Sequence, residues 1–167
     1  MKLRTMLGWF AGLVLFAGFA MPQSKPATGF DRLKSLVGEW EAKAESGNSV
    51  QVSYKLVSGG SALSEVLAPA GEPEMLTVYN LDGKHLMLTH YCSAGNQPRM
   101  RAAAPAGAIK RLVFSFFDST NLPDPSRGHM HRVMFTFEDS DHFTQEWTWR
   151  EKGRDTPAVF HFTRGHE

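Results

Sequence analysis

From Gly38 to Arg164 apolar and polar positions alternate with a period of two, and the alternating runs are broken at short intervals by Gly, Pro, Asn and Asp. This pattern predicts strands near 38–44, 49–57, 62–68, 74–81, 84–91, 98–104, 111–118, 129–137, 142–151 and 156–164. The clearest hairpin signal is Tyr79-Asn80-Leu81-Asp82-Gly83-Lys84, where Asp-Gly supplies the positive φ angles of a tight turn. Further turns are predicted at Glu138-Asp139-Ser140-Asp141 and at Glu151-Lys152-Gly153-Arg154-Asp155. One short helix is predicted over Asp31–Val37, capped by Asp31, with Phe30, Leu33, Leu36 and Val37 on its apolar side. About ten antiparallel strands in up-and-down order close into an all-β barrel, which leaves no free edge and has room inside for one small ligand.

Alternation also assigns faces. Val50/Val52/Tyr54/Leu56, Leu63/Leu67, Leu86/Leu88, Leu112/Phe114/Phe116, Val133/Phe135/Phe137, Phe143/Trp147/Trp149 and Phe160/Phe162 are expected to point inward. The same parity carries polar residues inward: Glu65, His90, His129, His131 and Gln145. A buried polar group without a partner costs about 1–3 kcal/mol, so several together imply a network, water or a ligand. An inward Arg99 or Arg101 opposite Glu65 would satisfy both charges.

Trp40, in Gly38-Glu39-Trp40 at the start of the first strand, and Arg164, in the last, are expected to meet through a cation-π contact where the two ends of the sheet close. A Gly-x-Trp on the first strand with a late Arg resembles the calycin superfamily of lipocalins and fatty-acid-binding proteins. The segment Leu88-Thr89-His90-Tyr91-Cys92-Ser93-Ala94-Gly95-Asn96-Gln97-Pro98-Arg99-Met100 is similar to one in exported bacterial calycin-type proteins without an assigned activity. The resemblance implies a fold and transfers no activity. In both readings Trp40 and Arg164 are structural.

Lys2 and Arg4 precede an apolar stretch from Leu7 to Phe19 that ends in Gly18-Phe19-Ala20. This reads as a secretory signal peptide over 1–20, followed by a flexible leader over 21–29 and a single barrel domain over 30–167. The apolar stretch is shorter than the roughly 20 residues of a spanning helix, so no stable membrane span is expected after cleavage. Removal of Lys2 and Arg4 leaves 16 basic against 17 acidic residues. A nearly neutral chain without a basic block argues against a nucleic-acid partner. Cys92 is the only cysteine, so no internal disulfide supports this exported domain.

Three functional classes follow. The first is binding of a small hydrophobic or amphipathic molecule in the interior, with Glu65, His90, Tyr91, Asn96, Gln97, Arg99, His131 and Gln145 as polar fixtures gathered largely at one barrel mouth. Met75, Met87, Met130 and Met134 would add polarizable lining. The second is a metal or haem site. His129-x-His131 places two imidazoles on one strand face, with His90 as a third ligand from across the barrel. The haem form resembles nitrobindin-like barrels, for which His161 is the nearest axial candidate by position, although its parity opposes that of Phe160 and Phe162. The third is an enzyme with His90 or His131 as general acid or base and Glu65 or Arg99 stabilising charge. No Gly-x-Ser-x-Gly, His-Glu-x-x-His, phosphate-loop or dinucleotide motif accompanies them.

Overall fold

The computed structural model describes residues 28–44 and 47–165. The expected signal peptide and nearly all of the leader lie outside them. The chain forms α1 (Gly29–Lys34), then β1 (Gly38–Lys43), β2 (Ser49–Val57), a 3-10 turn at Ser58–Gly60, β3 (Ala62–Pro69), β4 (Met75–Asp82), β5 (His85–Tyr91), β6 (Gln97–Ala103), β7 (Arg111–Thr120), β8 (His129–Phe137), β9 (His142–Glu151) and β10 (Arg154–Arg164). Each strand pairs antiparallel with its chain neighbours, and β1 pairs with β10, giving a closed ten-stranded barrel. The closing register sets Trp40 opposite Arg164 and Glu41 opposite Thr163.

Period-two alternation becomes the barrel wall. Val50, Val52, Leu63, Leu86, Leu88, Phe114, Val133 and Phe135 are fully enclosed, and edge-to-face aromatic pairs such as Trp40–Phe143, with centroids 4.8 Å apart, fill one part of the interior. Leu56 departs from the expected face and is exposed, because β2 there runs out into the Ser58–Gly60 turn. Phe116 and Trp149 are only half-buried.

The helix begins two residues earlier than the sequence pattern indicates. Thr28 is its cap, and Asp31 is the third residue of a capping box rather than the cap: the Asp31 N–H donates to Thr28 Oγ1 (3.2 Å) and the Thr28 N–H to Asp31 Oδ2 (2.9 Å). Phe30 and Leu33 are buried against the barrel. Gly29 sits so close that a Cβ there would lie 2.8 Å from Leu86 Cδ1, with Pro105 and Leu112 just beyond. These contacts place α1 across the end of the barrel where β5 and β7 start, leaving the opposite end open.

Turn chemistry differs between the two tightest hairpins. Between β4 and β5 the two-residue connection is Gly83-Lys84, and only Gly83 (φ 59°) takes a positive φ, so Asp82 stays in the strand opposite His85. Between β9 and β10, Lys152 (φ 50°) and Gly153 (φ 74°) both do, as a type I′ turn requires. That compact turn lets β10 begin at Arg154, earlier than expected.

One irregularity reorganises the predicted histidine face. In the β8–β9 ladder Met130 pairs with Trp149 and Arg132 with Thr148, which leaves His131 as the extra residue of a bulge. Beyond the bulge Met130 lines the interior, while His129 pairs with Arg150. The bulge interrupts strict alternation at His131, which is half-buried against Phe116, while His129 is buried as alternation predicts.

Candidate ligand-binding site

Four consecutive strands contribute one polar residue each to a single cross-strand row. Tyr54 on β2 is opposite Glu65 on β3, Glu65 is opposite Thr77 on β4, and Thr77 is opposite His90 on β5. All four are buried. Because strands of a closed barrel tilt, such a row climbs along the lumen. Its Glu65 end is enclosed by aromatic side chains, and its His90 end reaches a cavity.

Glu65 Oε2 accepts from Tyr79 Oη at 2.7 Å and, from across the barrel, from Gln145 Nε2 at 3.0 Å. The Tyr54 and Thr77 hydroxyls face the same carboxyl. Thr77 Oγ1 is 2.9 Å from His90 Nδ1. The His90 ring lies against Trp147, centroids 4.6 Å apart. Burial holds the Glu65 carboxyl above its ordinary range, against the lowering effect of the Tyr79 and Gln145 hydrogen bonds and of the nearby Tyr54 and Thr77 hydroxyls. It likewise pushes the Tyr54 and Tyr79 phenols well up, with the neighbouring Glu65 adding to the rise. His90 moves the other way, to about 4, again through burial. His90 is therefore a neutral imidazole near neutral pH.

The row leaves hydrogen-bonding capacity unused. Tyr54 Oη, Glu65 Oε1, His90 Nε2, Gln145 Oε1 and Trp147 Nε1 are buried without a hydrogen-bond partner among the described residues. Buried polar atoms are nearly always paired in native proteins, so five around one lumen indicate a place for water or a bound polar group. A cavity of about 320 Å³ adjoins the His90 end, bounded by Val50, Leu67, Met75, Met130, Trp147, Ala158 and Phe160, with Glu72 near its opening. It lies at the barrel end opposite α1. This volume is at the low end for sites that hold small organic molecules.

The remaining predicted fixtures do not share this lumen. Arg99 is exposed on β6 and forms a two-pronged ion pair with Asp118, Nε to Oδ1 at 2.6 Å. Arg101 packs over Phe117 and pairs with Asp82 at 3.5 Å. Neither reaches Glu65, whose partners are a phenol and an amide. The alternation of Arg99 and Arg101 with buried Pro98, Met100 and Ala102 is what turns them outward. Tyr91 is exposed. Asn96 is buried in the turn after β5 and donates to Gly128 O at 2.9 Å, and Gln97 accepts from Thr120 Oγ1 at 2.6 Å. Both tie loops together at the open end. Arg99→Ala is accordingly expected to leave the affinity of any interior ligand unchanged within twofold, as measured by titration of wild type and variant with the same compound.

His131 belongs to a different chain of contacts. Arg150 Nη1 lies 2.6 Å from His131 Nε2, His131 Nδ1 lies 3.2 Å from His129 Nε2, and His129 Nδ1 lies 2.8 Å from Arg127 O. Phe116 stacks on His131 at 5.2 Å. An arginine donor at one end and a carbonyl acceptor at the other orient both rings as neutral donor–acceptor links. Burial together with Arg150 and His129 lowers the pKa of His131. Among the described residues no three His, Cys, Asp or Glu side chains are arranged to hold a metal ion, and His90 does not join the pair. His161 is exposed and bonds Thr144 at 2.9 Å.

Sequence parity missed Tyr54, Thr77 and Trp147 as polar participants. Thr77 was detectable, since it shares parity with Met75 and Tyr79, both buried. Tyr54 and Trp147 read as core residues, and only the unpartnered state of their polar atoms marks them.

Fold and site together define a closed ten-stranded antiparallel barrel, helix-plugged at one end and hollow at the other. No protein-family model and no curated protein matches the chain. Its architecture is similar to that of a protein with unknown function from the DUF3598 family of Nostoc punctiforme PCC 73102, with a TM-score of 0.55 at 12% identity. The match covers 80% of this chain and 49% of that one, so the present chain spans about half the length of its structural relative.

Proposed function

We propose that this protein is an exported calycin-type barrel, directed out of the cytoplasm by residues 1–20, that binds a small and largely apolar molecule in the cavity beside His90. One observation carries the reading: an apolar-walled space of about 320 Å³ is bounded by His90 and Trp147, whose buried Nε2 and Nε1 have no partner among the described residues. An apolar body would gain by burial against Val50, Leu67, Met75 and Phe160, and one polar end would satisfy the imidazole and indole nitrogens. Arg99, on the outer surface, takes no part.

Titration with Nile red, a neutral dye that brightens in apolar surroundings, tests this. Saturable binding at one dye per barrel is expected, with quenching or enhancement of tryptophan emission because Trp147 lines the site. Met130→Trp would fill the cavity from its β8 side and is expected to weaken binding roughly tenfold, about 1.4 kcal/mol, while the chain still unfolds cooperatively. Absence of saturable binding, or equal affinity in Met130→Trp, would overturn the assignment.

A further inference from the structure

The interior is polar without being basic, and that bears on which molecules can enter. Resting on the cavity reading above, we propose that the barrel selects apolar molecules whose polar end donates a hydrogen bond and carries no negative charge, a hydroxyl, amide or amine, and excludes carboxylates. The discriminating element is the row Glu65–Thr77–His90, with Gln145 and Trp147 facing it across the lumen.

The charge census supports this. Among the described residues Glu72 is the one charged side chain bounding the cavity, and Glu65 is the acidic side chain of the enclosed row. Four arginines of the neighbouring strands are paired elsewhere: Arg99 with Asp118, Arg101 with Asp82, Arg132 with Glu146 and Arg150 with Asp155. His90 is neutral, so it supplies no cation either. A carboxylate moved into this space would lose its hydration, meet no positive charge and approach a buried carboxyl. An unpaired buried anion is among the costliest groups in a protein.

Hydrogen-bond accounting points the same way. At the cavity the buried polar groups are His90 Nε2, an acceptor when Thr77 Oγ1 accepts from His90 Nδ1–H, and the Trp147 N–H. A hydroxyl or amine donates to His90 Nε2, and a hydroxyl or amide also accepts from Trp147. A carboxylate can only accept, so it leaves His90 Nε2 without a hydrogen. Two ladder steps separate Glu65 from His90, about 10 Å at ordinary strand spacing. Thr77, whose hydroxyl bonds His90 Nδ1 and faces Glu65, links the carboxyl to the ring that bounds the cavity. Glu65 is thus a positioning residue: a Thr77 hydroxyl turned toward its carboxyl accepts from His90 Nδ1–H and leaves His90 Nε2 to accept from a donor.

Three probes with one tail separate the alternatives: 1-octanol, octylamine and octanoate, each competing with Nile red on the wild-type protein near neutral pH. Octanol and octylamine are expected to displace the dye at roughly tenfold lower concentration than octanoate. Octanoate binding as well as or better than the other two overturns the inference. Dye binding with no displacement by any probe also overturns it while leaving the cavity reading intact, whereas absence of dye binding removes both. Glu65→Gln keeps an acceptor for Tyr79 and is expected to narrow the octylamine–octanoate gap at least threefold with octanol unchanged. An unaltered gap would remove Glu65 from the selectivity, and if that variant does not fold the wild-type panel still decides.

Discussion

Replacing Trp40 by Ala is expected to lower unfolding stability by about 3–5 kcal/mol, as large aromatic deletions from close-packed cores do. The ring is fully enclosed. Its Nε1–H donates to Leu36 O at 2.7 Å, tying the turn after α1 to β1, and its face carries the Arg164 guanidinium at 4.0 Å where β1 meets β10. Truncation would leave a void beside Phe143, an orphaned carbonyl and a loosened closing seam. Arg164→Ala removes a half-exposed group that donates to Ser35 O, Val37 O and Ser140 O and pairs with Asp141. Its expected cost is smaller, about 1–2 kcal/mol, because solvent replaces much of what is lost. Urea unfolding of both variants checks the ordering. Equal losses would mean that closure of the seam, rather than packing of the indole, sets the stability of this end. Neither variant should alter interior ligand affinity, since both residues lie at the plugged end.

The second large effect is a pH dependence centred on His90. Its folded pKa is about 4, against an ordinary value of 6.5. Between these values the unfolded chain binds a proton that the folded barrel refuses, so stability falls as pH drops from about 6.5 toward 4. One buried imidazole of this kind accounts for about 2–3 kcal/mol between neutral pH and about pH 4.5. Glu65 acts with the opposite sign. Its folded carboxyl keeps a proton to higher pH than the unfolded one, so its contribution declines as pH rises above the ordinary value of 4.5. His90→Gln should flatten the acid limb of the stability profile by that 2–3 kcal/mol whatever its effect at neutral pH. Urea midpoints of wild type and variant across this range decide the matter, and superimposable acid limbs would show that His90 is not the responsible group.

Much of this architecture was legible because a strand imposes one simple rule, alternation, on every residue it contains. Ten alternating runs with turn residues between them predicted ten strands at nearly the observed positions, and a meander of ten strands has few ways to bury its apolar faces other than closure. Parity correctly turned Glu65, His90 and Gln145 inward, and the Trp40–Arg164 pairing followed from the two ends of the sheet having to meet. The cap of α1 was misplaced because Thr28 and Asp31 are both good capping residues and only the fold shows which one starts the helix.

What the chain could not state locally, the closed barrel decided. The bulge at His131 costs one residue of register, and His131 is tied to His129 and Arg150 rather than to His90, although nothing in His129-Met130-His131 distinguishes a bulged strand from a regular one. Gln145 reaches Glu65 across 80 residues of sequence. Glu65, Thr77 and His90 form one row only through the registers of β3–β4 and β4–β5. Alternation within a strand is set by its own backbone, so sequence determined which residues face the lumen. Their height along it depends on the tilt and stagger accumulated over ten strand pairings, so only the tertiary structure brought these polar side chains to one wall of one cavity.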